Sequence, residues 1–64
     1  MAINIKVNGV LTGYPAGSTI GDVVARLAMM SRRVEVKFNQ QAVPHREFAA
    51  IILSENDCVD VRFP

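Results

Sequence analysis

The sequence predicts an α+β fold in which a mixed sheet packs on one main helix. Three observations predict it. Ile3–Val7, Val34–Phe38 and Cys58–Phe63 each alternate apolar and polar residues, the period-2 spacing of a strand exposed on one face. One stretch, from about Ile20 to Met30, spaces its apolar residues as a helix does. Asn8-Gly9, directly after the first alternating segment, is the strongest short hairpin signal.

Taken in order, Ile3, Ile5 and Val7 mark the first strand. A type I′ turn needs positive φ at both central residues, which Asn8 and Gly9 tolerate. Val10 to Tyr14 then runs back antiparallel, with Gly13 as a candidate bulge. Pro15-Ala16-Gly17-Ser18 breaks the pattern and reads as a loop. Thr19-Ile20-Gly21-Asp22 has the spacing of a capping box, and the Asp22 carboxylate suits the positive end of a helix. Ile20, Val23, Val24, Leu27 and Met30 follow on one helical face, and Ser31-Arg32-Arg33 leads into the strand Val34 to Phe38. Asn39-Gln40 reads as a turn and Gln41-Ala42-Val43 as a short fourth strand, ended by Pro44, which cannot donate to a ladder. The pattern from His45 to Leu53 is ambiguous. Phe48, Ile51 and Ile52 suit a helical face, whereas Ile51-Ile52-Leu53 alone suits extended chain. A short helix or 3₁₀ turn near Arg46 to Ala50 is expected, then an irregular descent through Ser54-Glu55-Asn56-Asp57 into the last strand.

That last strand is expected at the centre of the sheet, parallel to the first and joining the two ends of the chain. Right-handed crossover keeps the helix on one face, and the arrangement is that of a β-grasp, or ubiquitin-like, fold. Ile3, Ile5, Val7, Val34, Val36, Phe38, Val59, Val61 and Phe63 are expected to face the helix. Asn4, Lys6, Glu35, Lys37, Asp60 and Arg62 are expected to face water, where their alternating charges suit cross-strand pairs.

Composition narrows the function. The 64 residues read as one domain, residues 1–64. A chain this short buries only about 60% of its unfolded surface, which leaves little room for a deep catalytic cleft and its supporting shell. An enzyme is therefore not expected. A net charge of +1 with acids and bases interspersed lacks the dense basic face of a nucleic-acid partner. One cysteine cannot form an internal disulfide, which fits a reducing, cytoplasmic setting. Met1-Ala2-Ile3-Asn4 does not read as a signal peptide. The longest apolar run, Phe48 to Leu53, is too short to cross a bilayer, so no membrane partner is expected.

Nor do single residues point to chemistry. His45 is the only histidine, so no metal cluster or Ser-His-Asp set can be assembled around it, and it reads as a loop residue after Pro44. Cys58 has no second cysteine or histidine close in sequence and reads as an incidental strand residue rather than a sulfur-handling thiol. Met29-Met30 suits an adaptable docking surface, but Met30 reads more simply as core at the helix end. Arg32-Arg33 could contact a phosphate or an acidic partner, and reads more simply as solvated loop. The glycines form no phosphate-binding spacing. No catalytic residue, metal ligand or cofactor is assigned.

The run Val36-Lys37-Phe38-Asn39-Gln40-Gln41-Ala42-Val43-Pro44-His45-Arg46-Glu47-Phe48 resembles the middle of the ThiS-type (ThiS/MoaD-type) sulfur carriers. Those proteins show an apolar strand, Asn, a short polar turn, Val-Pro-Arg and then an aromatic. Asn39, Val43-Pro44, Arg46 one place late behind His45, and Phe48 match that order. Val7-Asn8-Gly9, the helix led by Thr19, and Asn56-Asp57 in place of the usual Gly-Asp also fit, so the resemblance runs along essentially the whole chain. It implies a carrier of thiamine (thiazole) biosynthesis that performs no catalysis itself. An E1-like adenylating enzyme would activate the C-terminal carboxylate, sulfur would replace AMP to give a thiocarboxylate, and a thiazole synthase would consume that sulfur. Docking is expected around the last strand, at Asp60, Arg62, Phe63 and Pro64. The sequence ends Val61-Arg62-Phe63-Pro64 without the family's Gly-Gly, so the 64-residue chain itself is not expected to be a competent carrier. The reading from a different class is a β-grasp interaction module of the TGS type without carrier chemistry; the low basic density argues against an RNA-linked role.

Overall fold

The computed structural model describes residues 1–27 and 34–63. Strands β1 (Ala2–Val7) and β2 (Val10–Pro15) are followed by helix α1 (Ile20–Leu27), strands β3 (Glu35–Phe38) and β4 (Gln41–Val43), a 3₁₀ turn (His45–Glu47) and strand β5 (Cys58–Arg62). The sheet order is β2-β1-β5-β3-β4. β5 is central, parallel to β1 and antiparallel to β3, and both outer pairs are antiparallel hairpins.

Turn chemistry sets the two hairpins. Asn8 and Gly9 sit at φ 51° and 81°, Asn39 and Gln40 at 48° and 72°, so both turns have positive φ at both central residues. Asparagine and glycine adopt that region readily, whereas Gln40 is held there against its steric preference. The expected bulge at Gly13 does not form. The β1–β2 register runs unbroken from Val7↔Val10 to Ala2↔Pro15, with Gly13 opposite Asn4. A glycine relaxes a strand without obliging the partner strand to skip a residue.

The capping box forms as expected. Thr19 N–H donates to Asp22 Oδ2 at 2.8 Å, and Asp22 N–H donates to Thr19 Oγ1 at 3.3 Å. The first turn of α1 is also met by the segment after β4. Ile20 N–H donates to Ile51 O and Gly21 N–H to Phe48 O at 3.0 Å, which satisfies donors a helix start otherwise leaves unpaired. Thr19 and Ile52 form an isolated antiparallel bridge. The chain is therefore extended at Ile52, and period 2 rules there. Leu53 is buried and Ile51 half-buried, while Ile52 turns outward at 64% exposed, so of the two readings open for this stretch the extended one holds.

The core lies between one face of the sheet and α1. Ile5, Ile20, Val23 and Val59 are fully buried, and Val7, Tyr14, Val36, Phe48, Leu53 and Val61 complete it. Ile3, Val34 and Phe38 are half-buried against it. Tyr14 joins the core from β2 with the Arg26 guanidinium 4.9 Å from its ring centroid. Two expected core residues differ. Leu27, the last described residue of α1, is 44% exposed, while the described contacts of the 48–53 segment are with the first turn of the helix. Phe63 is 53% exposed, since β5 ends at Arg62 and alternation beyond the last paired residue has no sheet to act on. Met29, Met30, Arg32 and Arg33 lie outside the described residues.

Candidate functional site

The central strand carries Asp60 and Arg62, two of the residues expected at a docking surface. Its inner face is apolar, with Val59 and Val61 against the helix. Its outer face is polar. Asp60 stands opposite Lys37 and Arg62 opposite Glu35 across the β5–β3 ladder, all four exposed. Lys6 stands opposite Cys58 across the β1–β5 ladder, and Leu11, 63% exposed, stands opposite Lys6. The outer face is thus a checker of opposite charges with one aliphatic side chain at its β2 border, a surface suited to orienting a partner of matching charge pattern. Phe63 follows directly after the strand, half out in solvent, and Pro64 lies outside the described residues.

Both ends of β5 are fixed by asparagines that the sequence marks only as turn formers. At the start, Asn39 N–H donates to Cys58 O at 2.8 Å and Asn39 Oδ1 accepts from Cys58 N–H at 2.9 Å. Toward the other end, Asn8 N–H donates to Val59 O at 3.0 Å and Asn8 Oδ1 accepts from Val61 N–H at 2.7 Å. The loop before β5 is tied down as well. Asn56 N–H donates to Asn4 O, Lys6 N–H donates to Asp57 O, and Asp57 Oδ2 accepts from Ser54 N–H at 2.7 Å. In each case a hairpin turn lies beside the longer strand β5, whose next backbone donor faces the turn and is met by a short amide side chain.

The remaining candidates stand apart from this strand's exit. The His45 ring packs on Phe48 with centroids 5.0 Å apart. Cys58 is a free, half-buried thiol at the strand start. Among the described residues no group of three or more His, Cys, Asp or Glu is placed to hold a metal ion, and no helix is long and apolar enough to cross a membrane. What the arrangement offers chemically is a charged face on the sheet with an exposed Phe63 directly after the strand.

Comparison with known proteins bears on this geometry. The model of the ThiS family matches residues 3–61, from the first strand to the last. No curated protein matches the chain. Among solved structures, the crystal structure of the thiamine biosynthesis protein ThiS from Geobacter metallireducens superposes with a TM-score of 0.83 at 18% identity. That match covers 97% of this chain and 94% of the other. It carries the fold, the β-grasp expected from the order of elements.

Proposed function

This chain belongs to the ThiS family, and from that premise we propose that residues 1–64 act as one β-grasp domain that carries sulfur for thiamine (thiazole) biosynthesis. The family match over residues 3–61 is the observation that carries the reading. The geometry supports it through β5, which is held on both flanks inside the sheet, while Phe63 directly after it is 53% exposed. A carrier needs that combination, a rigid body for recognition and a free end for chemistry.

In this reading the C-terminal carboxylate attacks the α-phosphate of ATP inside an E1-like adenylating enzyme, and pyrophosphate leaves. Sulfide-level sulfur then displaces AMP, and the resulting thiocarboxylate delivers its sulfur to a thiazole synthase. The carrier itself contributes no catalytic residue and no cofactor, and it works in the cytoplasm. Partners dock on the outer face and exit of β5 through Asp60, Arg62, Phe63 and Pro64. The reacting carboxylate has to reach past the sheet into its partner. A four-residue extension ending Gly-Gly gives on the order of 13 Å of that reach, and its glycines accept whatever φ/ψ a narrow channel imposes.

Pyrophosphate release tests the proposal. The chain with such an extension is incubated with a ThiS-type activating enzyme and ATP. Release dependent on the chain is expected, and Asp60→Lys with Arg62→Glu should weaken it by reversing the charges offered to the partner. If neither release nor binding to the activating enzyme or a thiazole synthase occurs, a non-carrier β-grasp interaction module of the TGS type replaces the carrier.

A further inference from the structure

Asn8 completes the parallel ladder with its side chain. In a regular parallel pair, one residue donates to the opposite strand and its carbonyl accepts from the residue two positions further on. Asn8 makes the first bond with its backbone N–H, to Val59 O. The second, from Val61 N–H at 2.7 Å, goes to its side-chain Oδ1. The substitution is needed because the paired part of the β1–β5 ladder ends at Val7↔Val59, and at Asn8 the chain has already turned, with φ 51°. On the other flank β3 pairs through Val36↔Val61 and Glu35↔Arg62. Val61 is therefore held from both sides, Arg62 is paired with β3, and Phe63 lies outside the strand.

We propose that Asn8 is a positioning residue that fixes where the C-terminal segment leaves the sheet, and so how the terminal carboxylate is presented to the adenylating enzyme. The functional half of this rests on the carrier reading; the structural half does not. Without the Oδ1 contact, β5 would be free on its β1 flank from Val61 onward, and the segment entering the partner would be held by β3 alone. Part of the binding free energy would then go into ordering it. Asn39 supplies the control, because it clamps the opposite end of the same strand through the same kind of turn and does not touch the exit.

The experiment compares Asn8→Gly, Asn8→Asp and Asn39→Gly in the full chain carrying the four-residue extension ending Gly-Gly, at a temperature where all are folded. Glycine keeps the positive φ and removes the clamp, while aspartate keeps an acceptor oxygen. In Asn8→Gly, amide exchange at Val61 should accelerate roughly tenfold relative to Val59, equivalent to about 1.4 kcal/mol. The KM for the carrier in adenylation should rise roughly fivefold, about 1 kcal/mol, with kcat held. Asn8→Asp should restore both, and Asn39→Gly should change neither. The proposal is overturned if Val61 exchange in Asn8→Gly matches the parent, or if Asn39→Gly raises KM as much. If the parent protein is not adenylated at all, the carrier reading fails, and the exchange comparison decides the clamp by itself.

Discussion

Replacing Asn39 separates two contributions that one residue makes to the central strand. Asn39 stands at φ 48° and its Oδ1 accepts from Cys58 N–H at 2.9 Å. Glycine at this position removes only the side chain, since it adopts positive φ without strain. A backbone donor left without its partner costs about 1–3 kcal/mol, and Cys58 is half-buried, so water reaches it and the low end, about 1 kcal/mol, applies. Alanine removes the same oxygen and, unlike glycine, keeps a Cβ in the left-handed region without the polar side chain that lets asparagine sit there, a penalty of roughly 1–2 kcal/mol. Asn39→Ala should therefore cost about 2–3 kcal/mol. For a domain of this size each kcal/mol is worth about 4–8 °C in Tm, so the melting point should fall by roughly 10–20 °C for alanine and about 4–8 °C for glycine. Thermal unfolding followed by circular dichroism reads the order parent, Gly, Ala. A glycine variant as stable as the parent would refute the clamp on Cys58. Alanine no worse than glycine would refute the turn geometry.

Three further outcomes follow from the packing. Val59→Ala should cost about 2–3 kcal/mol by urea unfolding, the loss of two buried carbons plus the space they leave, while Val10→Ala, at a site 65% exposed, should stay within about 0.5 kcal/mol; equal effects would displace β5 from the centre of the sheet. Gln40→Gly should raise Tm by a few degrees, because relief of φ 72° outweighs the added freedom of the unfolded chain, of about 0.4–1 kcal/mol. Phe63→Ala should cost less than about 1 kcal/mol despite the residue's size, since the ring is 53% exposed beyond the last paired residue; a loss of the size seen for a buried aromatic, about 3–5 kcal/mol, would return it to the core.

The fold was legible wherever a local rule and the global packing agree. Alternation in Ile3–Val7 and Val59–Val61 located the first and central strands, Asn8-Gly9 the hairpin, and Thr19 with Asp22 the helix start, because each is a short-range requirement visible within a few residues. Phe63 departs from its expected face, and the stretch around Ile52 stays open between helix and extended chain, for one common reason. Periodicity tells which residues share a face but not where an element ends, and that boundary depends on partners distant in sequence, Thr19 for Ile52 and β3 for Phe63. The polar outer face was legible from the same alternation, as Asp60 and Arg62 are exposed opposite Lys37 and Glu35. The grip of Asn8 and Asn39 on β5 was not, since both residues already had a sufficient local explanation as turn formers. Their second role spans more than fifty residues of sequence for Asn8 and Val61.

The proposal that this β-grasp domain, given a Gly-Gly tail, carries sulfur on its C-terminal carboxylate is tested by intact-mass measurement after the reaction. The chain with a four-residue extension ending Gly-Gly is incubated with a ThiS-type activating enzyme, ATP and a sulfide source, then weighed. The account predicts a mass increase equal to the exchange of one oxygen for one sulfur, located by fragmentation at the C-terminus and absent without ATP. An unchanged mass in the presence of an activating enzyme that converts its own carrier would contradict it.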